Sequence, residues 1–184
     1  MIRILHLSDF HYKEKHDADF KSVSKSIAKS LKNQKIDLVI FSGDLVYDTE
    51  SYDKIESAGN CFFEPIKEVT GLDNSHFLIA PGNHDMKRGA ELDVVKDAFK
   101  HYKSYEQIDE YCSKDEQLQL SLANFENFNK YISKFYGDTM HLEPLYLYNV
   151  VTIENKKIGL IAFNSAWRCT KSDEDRGNLV FPVF

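Results

Sequence analysis

A chain of 184 residues with 42% hydrophobic and 28% charged side chains has enough apolar material for one core and is short for two domains. Lys+Arg 23 against Asp+Glu 29 gives a net charge of -6, so the surface as a whole does not attract nucleic acid and only a local basic patch would. Three widely spaced cysteines, Cys61, Cys112 and Cys169, exclude a disulfide framework and a CxxC metal site; with no signal-peptide pattern at the start and no apolar run long enough for a bilayer, the sequence predicts a cytoplasmic protein without membrane contact.

Residues 2–7 read as a buried strand ended by Ser8-Asp9, which leaves Asp9-Phe10-His11 at its carboxyl end. Phe20, Val23, Ile27 and Leu31 recur at the spacing of an amphipathic helix, with Asp17 or Asp19 available as its cap. Residues 37–41 form a second buried strand, closed by Ser42-Gly43-Asp44. Tyr52, Ile55, Phe62 and Ile66 carry a second helix that Gly59 and Pro65 should kink or divide. The third strand, 77–80, stops at Pro81-Gly82 and is followed at once by Asn83-His84-Asp85. This βαβαβ order implies right-handed parallel crossovers, and in such sheets functional residues gather beyond the strands' carboxyl ends. All three polar clusters fall there.

From Met86 to about Tyr136 the chain turns charged and Tyr-rich. Leu92, Val95, Phe99 and Tyr102 make one helical stripe, and Leu118, Leu122, Phe125, Phe128, Ile132 and Phe135 a longer one. They predict a core-packed helical pair inserted over residues 86–143. Residues 145–153, a turn at 154–157 and a buried strand at 158–163 predict a hairpin, with Asn164-Ser165-Ala166-Trp167-Arg168 again at a strand end. The last stretch ends on an apolar run, 179–184, with no solvated tail after it.

Asp9, His11, Asp44, Asn83 and His84 combine carboxylate, imidazole and amide, a mixture that suits Mn²⁺, Zn²⁺ or Fe²⁺ rather than thiolate-seeking ions. Carboxylates can bridge two cations, and two cations about 3.5–4 Å apart clamp both oxygens of a phosphoryl displacement. His6 reads as a hydrogen-bonded core histidine, and His16 and His76 as ordinary loop and strand-start residues. Arg88 and Arg168 follow strand-end clusters and are candidates to hold a phosphate oxygen bidentately, with plain surface placement as the competing reading.

Taken together, Asp9-Phe10-His11, Gly43-Asp44 and Gly82-Asn83-His84-Asp85 resemble the first three signature blocks of the calcineurin-like metallophosphoesterases. The likeness covers residues 1–85 well and 145–168 less specifically. It implies a layered α/β fold in which Asp9 and His11 bind a first metal, Asp44 bridges both, and Asn83 binds the second through its amide oxygen. His84 would lie over the scissile phosphate and donate a proton to the leaving oxygen, while a hydroxide bridging two divalent ions (Mn, Fe or Zn) attacks phosphorus in line. Asp85 reads as a group that either supports the ligands from behind or caps the backbone, rather than as a ligand. Some branches pair the histidine with an Asp three residues after the bridging one; here Tyr47 stands there and Asp48 follows.

The family's later histidine and Gly-His-x-His block are missing, since only His101 and His141 follow His84. The sequence therefore predicts a single, C-terminally truncated domain over 1–184, the front part of a polypeptide continuing past Phe184. Open sheet edges, uncovered apolar surface and weak metal binding are expected of it. The implied activity is hydrolysis of phosphodiesters, of cyclic or other nucleotides or of nucleic-acid ends, because Gly-Asp-Leu-Val-Tyr-Asp-Thr replaces the Gly-Asp-x-x-Asp-Arg-Gly of phosphoprotein phosphatases. The alternatives are a DNA nuclease of the repair type and a catalytically inactive phosphoesterase-like module in a larger protein.

Overall fold

The computed structural model describes residues 1–87, 102, 104–169 and 181–182. Strands β1 (Ile4–Leu7), β2 (Leu38–Phe41) and β3 (Phe77–Ile79) form a parallel sheet in that order, with Ile4 opposite Leu38 and Val39 opposite Phe77. Helices α1 (Asp17–Leu31) and α2 (Tyr52–Thr70) make the two crossovers. The predicted βαβαβ order is the observed one. β2 lies between two strands and buries Leu38, Val39 and Phe41. β1, expected to be buried, is an edge strand among the described residues: Ile4 is 52% exposed, and His6, expected in the core, is exposed with Nε2 2.9 Å from Ser42 Oγ. β3, the other edge, is buried throughout because the helix Glu126–Tyr136 covers it, so the difference lies in what packs beside each strand.

In α1 the inward face is Phe20, Ser24, Ile27 and Leu31, at helical spacings of 4, 3 and 4, and Val23 points outward. Neither Asp17 nor Asp19 caps it. A 3₁₀ turn, Glu14–His16, leads in, so Asp17 is already helical and its carboxylate accepts from Tyr12 Oη (2.9 Å) and pairs with Lys21 (2.6 Å).

Helix α2 runs unbroken past Gly59 and Pro65, against expectation. Its start is capped by Ser51 and its end by Gly71 in the left-handed region. Pro65 costs about 3 kcal/mol in a helix interior. Burial of Phe62, Phe63 and Ile66 offsets this, each contributing roughly 1.5–3 kcal/mol. Gly59 is no breaker but a contact point: a Cβ there would lie 2.0 Å from Tyr131 Oη.

The long apolar stripe of the helical block is divided. Helices α3 (Tyr105–Cys112), α4 (Asp115–Leu122) and α5 (Glu126–Tyr136) are described, with a 3₁₀ turn, Ala123–Phe125, separating the last two. Leu92, Val95 and Phe99 lie outside the described residues. α5 buries Phe128, Tyr131, Ile132 and Tyr136, and packs on α2 through Tyr131. The Tyr136 hydroxyl accepts from Ile79 N (3.1 Å) and donates to Phe77 O (3.0 Å), satisfying the outer edge of β3.

A second, antiparallel sheet holds β4 (His141–Leu142), β5 (Tyr146–Ile153) and β6 (Lys156–Phe163). β5 and β6 join through Glu154-Asn155, both at positive φ (49° and 63°), the geometry of a two-residue hairpin turn. Leu147, Val151, Ile153, Leu160 and Ala162 face the core. The other face leaves Tyr148, Val150, Ile161 and Phe163 exposed, so β6 is half-buried where a fully buried strand was expected. None of the cysteines is in a disulfide. Among the described residues no helix is long and apolar enough to cross a membrane.

Candidate metal centre

Past their last ladder bonds, β1 and β2 remain zipped by Asp9 N→Gly43 O (3.0 Å), His11 N→Asp44 O (2.9 Å) and Tyr12 N→Leu45 O (3.0 Å). Within this zipper Asp9, His11 and Asp44 all have left-handed backbones, with φ of 56°, 50° and 63°. Each such non-glycine residue costs about 1–3 kcal/mol unless its surroundings fix it, and clusters of them mark functional sites. The third loop closes on the second, backbone against backbone. A Cβ on Gly43 would come within 2.8 Å of Gly82 Cα, and one on Gly82 within 2.1 Å of Asp44 Oδ1. Glycine at both positions lets Asn83-His84 approach Asp44.

Asp85 staples the junction. Fully buried, it accepts from Asp44 N (2.8 Å), Gly82 N (2.8 Å) and Val46 N (3.1 Å). Burial pushes its carboxyl up to about 7, while the three N–H donors pull the other way. Of the two roles expected of it, these bonds are those of a backbone cap.

At the centre, His11 Nε2 lies 3.6 Å from Asp9 Oδ1 and 3.7 Å from Asp44 Oδ2. Ligand atoms of His11, Asp44 and His84 all lie within 4.8 Å of one another. These gaps are too long for hydrogen bonds. The 3.6 Å and 3.7 Å gaps match donor atoms sharing one cation, which at bond lengths of about 2.1 Å sit roughly 3–4 Å apart. His11 Nδ1 is buried with no hydrogen-bond partner, so the ring is not held there by ordinary polar pairing. The donor set fits divalent metal ions.

His84 is fixed twice. Its backbone N donates to Asp44 Oδ1 (2.9 Å), leaving Asp44 Oδ2 toward His11. Its Nδ1 lies 2.7 Å from the carbonyl oxygen of Tyr47, which can only accept, so Nδ1 carries the proton and Nε2 is the nitrogen that can act on a ligand. Thr49 Oγ1 also donates to the His84 carbonyl (3.3 Å). Asp48 pairs with Lys54 instead. The orienting group that sequence reasoning sought in a carboxylate is thus a main-chain oxygen, for which no side-chain pattern exists.

Of the other candidates, Asn83 is half-buried in the turn just before His84. Arg168 is half-buried beside the Trp167 ring (5.9 Å), and burial lowers its pKa with Cys112, Tyr102 and Tyr111 as its charge neighbours. Arg88 and His101 lie outside the described residues, and His141 of β4 stacks on Tyr148 of β5.

The family model described as calcineurin-like phosphoesterase matches residues 2–173, a span that takes in all three loops and both sheets. The chain belongs to that family. No curated protein and no solved structure matches it. As a calcineurin-like phosphoesterase it stands among the metal-dependent hydrolases of phosphate esters. The phosphoesterase carries its family's first three blocks on three adjacent strand ends, held together by Gly43, Gly82 and Asp85.

Proposed function

We propose that the protein hydrolyses phosphodiesters of nucleotides or nucleic-acid ends, with Asp9, His11, Asp44 and Asn83 as ligands for two divalent cations and His84 as proton donor. The carrying observation is the crowding of His11, Asp44 and His84 ligand atoms within 4.8 Å on a strained, interlocked backbone. Cations such as Mn²⁺, Fe²⁺ or Zn²⁺ held there would polarise phosphoryl oxygens and acidify a water.

The residues divide the remaining work. Asp44 uses Oδ1 to hold the His84 loop and turns Oδ2 to the site. Asp9, with its side chain 66% exposed, forms the open rim through which an ester can approach. Protonated His84 can give up its Nε2 proton to a leaving oxygen while Nδ1–H stays on the Tyr47 carbonyl, so the ring need not turn between proton loss and gain.

Hydrolysis of bis-p-nitrophenyl phosphate with Mn²⁺ tests this. His84→Ala should lower the rate by about 10²–10⁴-fold, with Mn²⁺ binding by calorimetry retained. Hydrolysis that survives both chelator and His84→Ala would sink the proposal, and metal binding without any turnover would favour the inactive module.

A further inference from the structure

Lys13, two residues past His11, is half-buried with its ammonium 3.6 Å from the centroid of the Tyr47 ring. Nearby, Lys21 pairs with Asp17 and Lys54 with Asp48, yet Lys13 pairs with no carboxylate among the described residues. The Tyr47 ring stands 5.4 Å from the ring of His84 and 6.1 Å from that of His11. Tyr47 also lines an open cleft of about 260 Å³ with Lys13, Glu14, Lys15, Asp48 and Lys54. Tyr47 therefore borders both the metal centre and this cleft.

The cleft's charges decide what it takes. Lys54 and Asp48 neutralise each other, leaving Lys13 and Lys15 against Glu14. A cation over an aromatic face is worth about 0.5–1 kcal/mol when exposed. Such a contact positions the ammonium without using its three N–H donors, which phosphate oxygens would engage in charge-assisted bonds, about twice as strong as neutral ones. From this we infer that Lys13 is a substrate-selecting residue that binds a second phosphate of the substrate, beyond the ester being cut. The inference rests on the phosphoesterase reading of the adjacent site. It selects, within that reading, phosphodiesters carrying at least one further phosphate, as nucleic-acid ends do, over cyclic mononucleotides, which have one.

The test compares thymidine 3′,5′-bisphosphate with thymidine 5′-monophosphate as ligands of the Mn²⁺-loaded full chain, by calorimetry. The bisphosphate should bind about tenfold more tightly. Lys13→Met and Lys13→Gln should both bring the ratio to within about twofold, while Lys13→Arg keeps most of it. Were Lys13 only packing against Tyr47, the variants would shift the melting temperature and both affinities together, and the ratio would stand. A wild-type ratio near one, or a ratio indifferent to Lys13→Met and Lys13→Gln, overturns the inference and leaves the phosphoesterase reading intact. Failure of the chain to bind Mn²⁺, measured first, overturns that reading and the inference with it.

Discussion

Gly82 shows how narrowly the centre is built. Its Cα faces Asp44 so closely that one added methyl would sit 2.1 Å from a carboxylate oxygen and 2.5 Å from a backbone nitrogen. Gly82→Ala should therefore push the second and third loops apart, destabilising the fold by about 1–3 kcal/mol. It should also weaken Mn²⁺ binding by far more than that loss explains; denaturant unfolding and calorimetry on the same sample read the two effects. A variant that binds Mn²⁺ like the parent would show that the loops have slack. The gathering of the candidate residues was legible in the sequence because Asp9, Asp44 and His84 each stand a few residues past an apolar run, and strand ends of a parallel sheet converge. Tyr47 and Lys13 were not, since a carbonyl acceptor and a lysine over a ring leave no mark in residue types or spacing.

At the scale of the elements, tertiary contact overrides local preference in α2. Helix propensity favours alanine over glycine by about 1 kcal/mol, which predicts that Gly59→Ala stabilises the protein. The contact with Tyr131 predicts the opposite sign, because the new Cβ would overlap the phenol ring's Oη, Cζ and Cε2 at 2.0–2.7 Å. We expect a loss of about 1–3 kcal/mol in denaturant unfolding; a gain would mean that Tyr131 simply swings aside. The strands, both crossover helices and the hairpin follow from hydrophobic period. What period cannot report is which face finds a partner: Val23 fits a helical stripe yet is 50% exposed, and β1 reads as buried yet lies at an edge. Helix α3 left a faint trace because it buries only Ile108 and Tyr111.

At the scale of the molecule, the hairpin turn of the second sheet is tied to the edge of the first. Glu154 pairs with the N-terminal ammonium (3.2 Å) and with Lys35 (2.6 Å), which also reaches Asp37 (3.3 Å). Lys35 and the ammonium together pull the Glu154 carboxyl down from its ordinary 4.5 to about 2. Because the folded value is the lower one, the clamp's contribution is present above about pH 4.5 and is lost as pH falls through 2. The groups are exposed, so salt should screen the effect. Glu154→Gln should flatten the fall in melting temperature between pH 5 and pH 2 at low ionic strength and do nothing at high salt. An unchanged acid limb would mean that the clamp adds no stability.

The phenol of Tyr136 has a consequence for how the parallel sheet can grow. By taking up Ile79 N–H and Phe77 C=O, it removes the two main-chain groups that a neighbouring strand would need at β3. Among the described residues β1 keeps its outer edge unpaired, so a further strand would meet open main-chain groups alongside Ile4 and His6 and competition from a phenol alongside Ile79.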